Sequence, residues 1–249
     1  MQSLAGWTQL CKSTELLNLQ VARAIATPMS LLEHRFAYTA LPRYPTLLGA
    51  STLSQTVDYY HFLISPWSYL AIGRFNELKA RTGIAVNYLP IDVPTTFGNM
   101  GGVPPAKRHP SRQRFRMDEL KRWSQHLNVP MNLTPAFFPA DQTLAACMVY
   151  AADADKQAAL SDAVLTAVWR DEKNIADRDT LAALATDCGL DAESLLSAAD
   201  TDAMRQKLTD VTAHAHSIDV FGSPTYSVKG ELFWGQDRLD FLERALAES

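Results

Sequence analysis

Residues 57–90 read as strand, helix, strand, and this order restricts the fold more than any other feature of the chain. Val57-Asp58-Tyr59-Tyr60-His61-Phe62-Leu63 is rich in β-branched and aromatic side chains, as strands are. Ser65-Pro66 interrupts it. From Trp67 onward, Ala71, Phe75 and Leu78 recur at helical spacing with Leu70 beside them, and Gly83 supplies a C-terminal stop. Ile84 to Pro90 then reads as a second strand. Two strands joined through a helix are parallel, with a right-handed crossover.

The rest of the chain completes the pattern. Pro94 to Met117 reads as a long irregular stretch, with Gly98, Gly101, Gly102, Pro104, Pro105 and Pro110. A loop of that length in a compact domain is functional or disordered. Asp118 is an expected N-cap of a helix through His126, with Leu120 and Trp123 on one face. From Asp141 to His216 the chain is alanine-rich and helical, with breaks expected near Ala154-Asp155, at Gly189 and near Asp200. A strand after Pro224, a Lys229-Gly230 turn, a returning strand Glu231–Trp234 and a last helix bearing Leu239, Leu242 and Leu246 follow. The order βαβ, helical insertion, ββα is an α/β fold with the thioredoxin layout. The expected domain is 56–247, with an inserted all-helical subdomain at about 118–216.

Residues 1–55 read differently. Pro28, Pro42 and Pro45 break them, and no basic segment leads into an apolar core as in a secretory signal. Arg23, Arg35 and Arg43 among few acids give a faint likeness to a transit peptide. The plainer expectation is an irregular extension, or a start codon assigned too far upstream.

Composition excludes some partners. The net charge of −4 over 249 residues argues against nucleic acid, although Lys107, Arg108, Arg112, Arg114 and Arg116 form a local basic patch. No uninterrupted apolar run approaches the roughly 20 residues of a membrane span. The three cysteines, Cys11, Cys147 and Cys188, are odd in number and far apart, with no CxxC pair and no zinc spacing. No metal is expected, and a reducing cytoplasm is the simplest setting.

The chemistry is expected at Ser65-Pro66-Trp67-Ser68, where the first helix begins. Unpaired N–H groups and the helix dipole favour an anion there. A thioredoxin-type oxidoreductase carries Cys-x-x-Cys at this place, because the dipole lowers the thiol pKa. With serine at both ends, dithiol exchange is excluded, but the same field can hold another molecule's thiolate. Glutathione is the natural candidate, its sulfur bonded to the Ser65 hydroxyl. The plainer role of Ser65 is a helix cap before Pro66. Gly235-Gln236-Asp237-Arg238 opens the last helix and can offer N–H groups to a γ-glutamyl end. Asp237 also suits a simple N-terminal helix acid.

Taken as an ordered set, Tyr60-x-x-x-x-Ser65-Pro66-Trp67-Ser68-Tyr69-Leu70, Gly98-Asn99 with Pro104-Pro105-Ala106-Lys107, Asp118-Glu119-Leu120-Lys121-Arg122-Trp123, Phe221-Gly222-Ser223-Pro224-Thr225 and Leu232-Phe233-Trp234-Gly235-Gln236-Asp237-Arg238-Leu239 resemble the 2-hydroxychromene-2-carboxylate isomerase family, related to kappa-class glutathione transferases. The likeness spans about 56–247. It implies that Ser65 contacts the glutathione sulfur and that Pro66 and Trp67 line that site. It implies that Asn99 binds glutathione through its amide, that Ser223 pairs its backbone with the peptide before a cis Pro224, and that Gln236 and Asp237 hold the γ-glutamyl group. Asn99 alone also suits a turn after Gly98. Two residues depart from the family pattern: Ser223 stands where valine or leucine is frequent, and Phe62 where an aspartate is frequent.

The resemblance implies a glutathione-dependent isomerase of aromatic catabolism acting on a small aromatic or conjugated carboxylate, with relatives that are often homodimers. An arginine or lysine of the 107–116 stretch is expected to meet the substrate carboxylate, unless these residues form only a solvated basic loop. Two alternatives stay open: a kappa-like transferase that conjugates glutathione to electrophiles, and a non-catalytic thioredoxin-like binding protein.

Overall fold

The computed structural model describes residues 55–248, so the expected extension lies, but for Gln55, outside the described residues. The described chain opens with the expected unit: β1 (Thr56–His61), α1 (Pro66–Thr82) and β2 (Ala85–Pro90). Helix α1 starts at Pro66, whose missing N–H costs nothing at a first turn, and ends at Gly83 with φ +68. β1 and β2 are parallel, with Tyr59 opposite Tyr88. After the helical stretch, β3 (Thr225–Val228) and β4 (Glu231–Trp234) form the hairpin, and α9 (Leu239–Ala247) closes the domain. Sheet order is β2-β1-β3-β4, with β3 antiparallel to both neighbours.

Aromatic packing on the sheet joins it to α1. Tyr59 stacks on Tyr226 of β3 at 5.2 Å, and Phe75 of α1 lies 4.8 Å from Tyr226. All three are buried. Removing one such ring costs about 3–5 kcal/mol, so this cluster fixes where the start of α1 sits over the sheet. His61 also lies within it, stacked on Tyr59 at 4.3 Å and wholly buried.

Between β2 and β3 the chain differs from expectation at its beginning. The stretch from Pro94 to Met117 is not irregular throughout. α2 (Val93–Asn99) is capped by Asp92, whose carboxylate accepts the Thr95 N–H at 2.8 Å. After a short turn at Pro105–Lys107, α3 (Pro110–Leu127) begins eight residues before the expected cap at Asp118. The reason is Pro110, a helix starter here and not a breaker, with the His109 ring accepting the Ser111 N–H. The remaining helices are α4 (Thr143–Ala151), α5 (Ala154–Trp169), α6 (Arg178–Asp187), α7 (Ala192–Ala199) and α8 (Asp202–Ser217), with the expected breaks at Gly189 and Asp200. Ala145 to Tyr150 of α4 are all buried, which makes that helix the centre of the helical layer. No helix among the described residues is long and apolar enough to cross a membrane.

Candidate active site

Ser65 caps α1 in extended backbone geometry, φ −77 and ψ 122. Its Oγ accepts the Ser68 N–H at 3.2 Å and donates to the Ser223 carbonyl at a long 3.4 Å. The oxygen is therefore committed to the helix, while the hydrogen is held only weakly and can turn toward an incoming acceptor. The first turn carries no acidic side chain, so nothing cancels the positive end of the 17-residue helix.

Ser68, at the position of a second thiol, has a different role. It is fully buried, and its Oγ lies 2.8 Å from Ser223 Oγ. Ser223 Oγ also accepts the Phe62 backbone N–H at 2.7 Å. The serine that departs from the family pattern is thus a structural link between β1, α1 and the loop before β3. The Ser223–Pro224 peptide is cis, as expected.

These residues open on a cavity of about 640 Å³. Ser65, Pro66, Trp67 and Ser223 line it; Phe62, Phe97, Phe138, Phe221 and Trp234 make its walls apolar. Phe221 meets Trp234 edge-on at 4.7 Å. Gly222 allows that wall to close, because a Cβ there would stand 2.5 Å from Trp234 Nε1. Among the described residues, the only charged ones lining the cavity are Arg108, Arg112 and Arg116, and the described lining includes no histidine, carboxylate, lysine or thiol.

The three arginines are four residues apart, which places them along one side of α3 and its entry. Arg108 Nε donates to the Val103 carbonyl at 2.7 Å, and the Arg116 guanidinium lies 5.9 Å over the Phe138 ring. Among the described residues no carboxylate pairs with any of the three. Burial, then the neighbouring arginine, lowers the pKa of both Arg108 and Arg116, although a guanidinium stays charged at any physiological pH. Lys107 and Arg114 of the expected patch do not line the cavity.

Asn99, Pro224, Gln236 and Asp237 do not line it either. Asn99 is exposed at the end of α2. Pro224 is buried, and its carbonyl accepts the Gly235 N–H at 2.9 Å. Gln236 is buried beneath Arg74, and Asp237 is exposed, 3.4 Å from Arg238. Among the described residues no group of three or more His, Cys, Asp or Glu is placed to hold a metal ion.

Comparison with protein families matches residues 56–247 to the DSBA-like thioredoxin domain. The chain belongs to this DSBA-like family. Within it, the chain is similar to 2-hydroxychromene-2-carboxylate isomerase of Sphingobium xenophagum, with 33% identity over 79% of this chain and all of that protein. A solved 2-hydroxychromene-2-carboxylate isomerase structure superposes with a TM-score of 0.69 at 28% identity, covering 78% of this chain and 95% of the other. Glutathione S-transferase kappa 1 of Caenorhabditis elegans is 25% identical over 77% of this chain and 91% of its own length.

One residue of this DSBA-like domain escaped sequence reasoning. The Arg74 guanidinium reaches from α1 to the Gln236 backbone carbonyl at 2.7 Å and also bonds the Gln236 side-chain oxygen. It lies 5.6 Å over the Trp123 ring of α3. Arg74 thereby joins α1 to the 235–238 loop. No local signal marks it, because its partner lies 162 residues away.

Proposed function

We propose that this DSBA-like protein is a glutathione-dependent isomerase of the 2-hydroxychromene-2-carboxylate type, interconverting a cyclic hydroxychromene carboxylate and its open-chain benzylidenepyruvate. One observation carries the reading. A serine hydroxyl at an acid-free helix N-terminus opens on an apolar cavity whose lining, among the described residues, has neither base nor thiol and carries arginines without ion pairs as its only charges. Such a site stabilises anions but supplies no nucleophile, which fits a borrowed sulfur.

When bound, glutathione would supply the thiolate that adds reversibly to the conjugated carbon, allows rotation about the former double bond, and leaves unchanged. The Ser65 hydroxyl and the N–H groups of α1 hold that sulfur anionic; removing one such preorganised donor costs about 100- to 1000-fold in rate. Arg108 and Arg116 hold the substrate carboxylate and the negative charge that develops on its oxo group, and the aromatic walls exclude water. Pro66 and Trp67 flank the thiol, and the Ser223 backbone pairs with the tripeptide. Asn99, Gln236 and Asp237 are assigned to its polar ends by resemblance. A cytoplasmic setting and a homodimer belong to the same reading.

The kappa-class relative supports a second reading, a transferase that leaves glutathione joined to its electrophile. Turnover of 2-hydroxychromene-2-carboxylate with full recovery of free thiol is the expected result. Stoichiometric thioether would assign the transferase, and absence of glutathione binding by calorimetry would remove both.

A further inference from the structure

The arginine row has two faces. Its inner face lines the apolar cavity. Its outer face lines a second depression of about 390 Å³, walled by Trp67, Ser111 and Phe115 together with the same Arg108, Arg112 and Arg116. Glu119 also lines it, with its carboxylate paired to Arg122. The arginines themselves are engaged unequally. Arg108 is tied to the Val103 carbonyl and Arg116 lies over Phe138, both half-buried, whereas Arg112 is exposed between them with no ion pair among the described residues.

Three like charges, Arg112 and Arg116 one turn apart on α3 and Arg108 at its entry, repel one another, and among the described residues the one carboxylate lining the depression, Glu119, is paired with Arg122 rather than with any of them. One carboxylate, which is all that a hydroxychromene carboxylate brings, answers only part of this field. Two anionic groups about one turn apart, roughly 6 Å along the axis, complement it better.

We infer that the preferred substrates within this class are conjugated acids bearing a second carboxylate, with one carboxylate held at Arg116 in the cavity and the second held at Arg112 in the outer depression. The inference rests on the cavity being the substrate site, but not on the isomerisation itself. A carboxylate bonded to a guanidinium contributes enough to change affinity about 10- to 100-fold.

Two inert probes test it by calorimetry: 3-phenylpropanoate, with one carboxylate, and 3-(2-carboxyphenyl)propanoate, with two. The dicarboxylate should bind the parent protein at least 10-fold more tightly, and Arg112→Gln should abolish that advantage while leaving the monocarboxylate within about 2-fold. Equal affinities for the two probes, or an advantage that survives Arg112→Gln, would overturn the inference. The shared chemistry is a carboxylate, and the glycine end of glutathione is the other source. If Arg112→Gln weakens glutathione but not γ-glutamylcysteine, Arg112 reads the tripeptide and the inference falls. Because the readout is binding, its failure is separate from failure of the isomerase reading, which turnover and thiol recovery measure.

Discussion

The hydroxyl of Ser223 accepts the backbone N–H of Phe62 at 2.7 Å, tying the loop before β3 to the end of β1. The bond explains how a polar side chain is accommodated at a buried position beside a cis proline. It also leaves the Ser223 main chain facing Ser65, since the side chain is turned the other way, toward Phe62 and Ser68.

Ser223→Val is therefore expected to destabilise the protein. The change strands the buried Phe62 N–H and removes a partner of Ser68, at a cost of about 1–3 kcal/mol. For a domain of this size, each kcal/mol lowers Tm by about 2–4 °C. Thermal unfolding of the single variant and of Ser223→Val with Ser68→Ala tests it; a stability equal to the parent's in the single variant would contradict the assigned bond.

Ser65→Ala should separate the two roles of that residue. Loss of the cap costs about 1 kcal/mol, a small shift in Tm. Loss of the donor to sulfur should lower turnover about 100- to 1000-fold with glutathione saturating. A variant as active as the parent would reduce Ser65 to a helix cap.

Arg74→Lys should weaken glutathione more than it slows chemistry. Both bonds to Gln236 leave from one nitrogen, Nη2, of a planar guanidinium that also lies over Trp123; lysine keeps the charge but loses the plane stacked on Trp123 and, being shorter, the reach to both Gln236 oxygens. The expected outcome is a rise in KM for glutathione of about 10-fold, the scale of one lost charged hydrogen bond, with kcat within 2-fold. A fall in kcat at unchanged KM would place Arg74 elsewhere in the mechanism.

His61 gives the protein a pH dependence unrelated to catalysis. Its ring is wholly buried, with Nδ1 bonded to the Tyr59 carbonyl and Nε2 to Ser161 Oγ. Burial holds its pKa at about 4, against an ordinary 6.5. The unfolded chain therefore binds this proton more readily than the folded one. The contribution to stability is complete above pH 6.5 and is lost as pH falls toward 4, with a slope of about 1.4 kcal/mol per pH unit in that window. Urea titrations of the parent and of His61→Gln should diverge in slope only there. The half-buried His216, also lowered by desolvation, contributes to both proteins and cancels in the comparison.

The strands, α1 and the last hairpin are legible in the sequence because each is marked locally, by β-branched runs, by Pro66 and by Gly83. The start of α3 is not, because Pro110 looks like a breaker until His109 is seen to cap it. That misreading carries over to the site. The basic patch is plain in the sequence, but choosing Arg108, Arg112 and Arg116 over Lys107 and Arg114 requires the helical phase, and so the true beginning of α3. Ser65, Pro66, Trp67 and Ser223 meet at one cavity because the topology alone brings the end of β1 against the loop before β3. The Ser223 side-chain bonds and the Arg74 grip depend on partners more than 150 residues distant, which no periodicity announces.

On the proposed reading, a lining without imidazole or carboxylate among the described residues has a consequence for selectivity. None of the described lining residues is a general base able to activate a water molecule. A conjugated ketone seated there is spared the base-assisted addition of water and persists until a thiol is delivered. The supply of that thiol, and not the ionisation of any lining side chain, then sets when the chemistry begins.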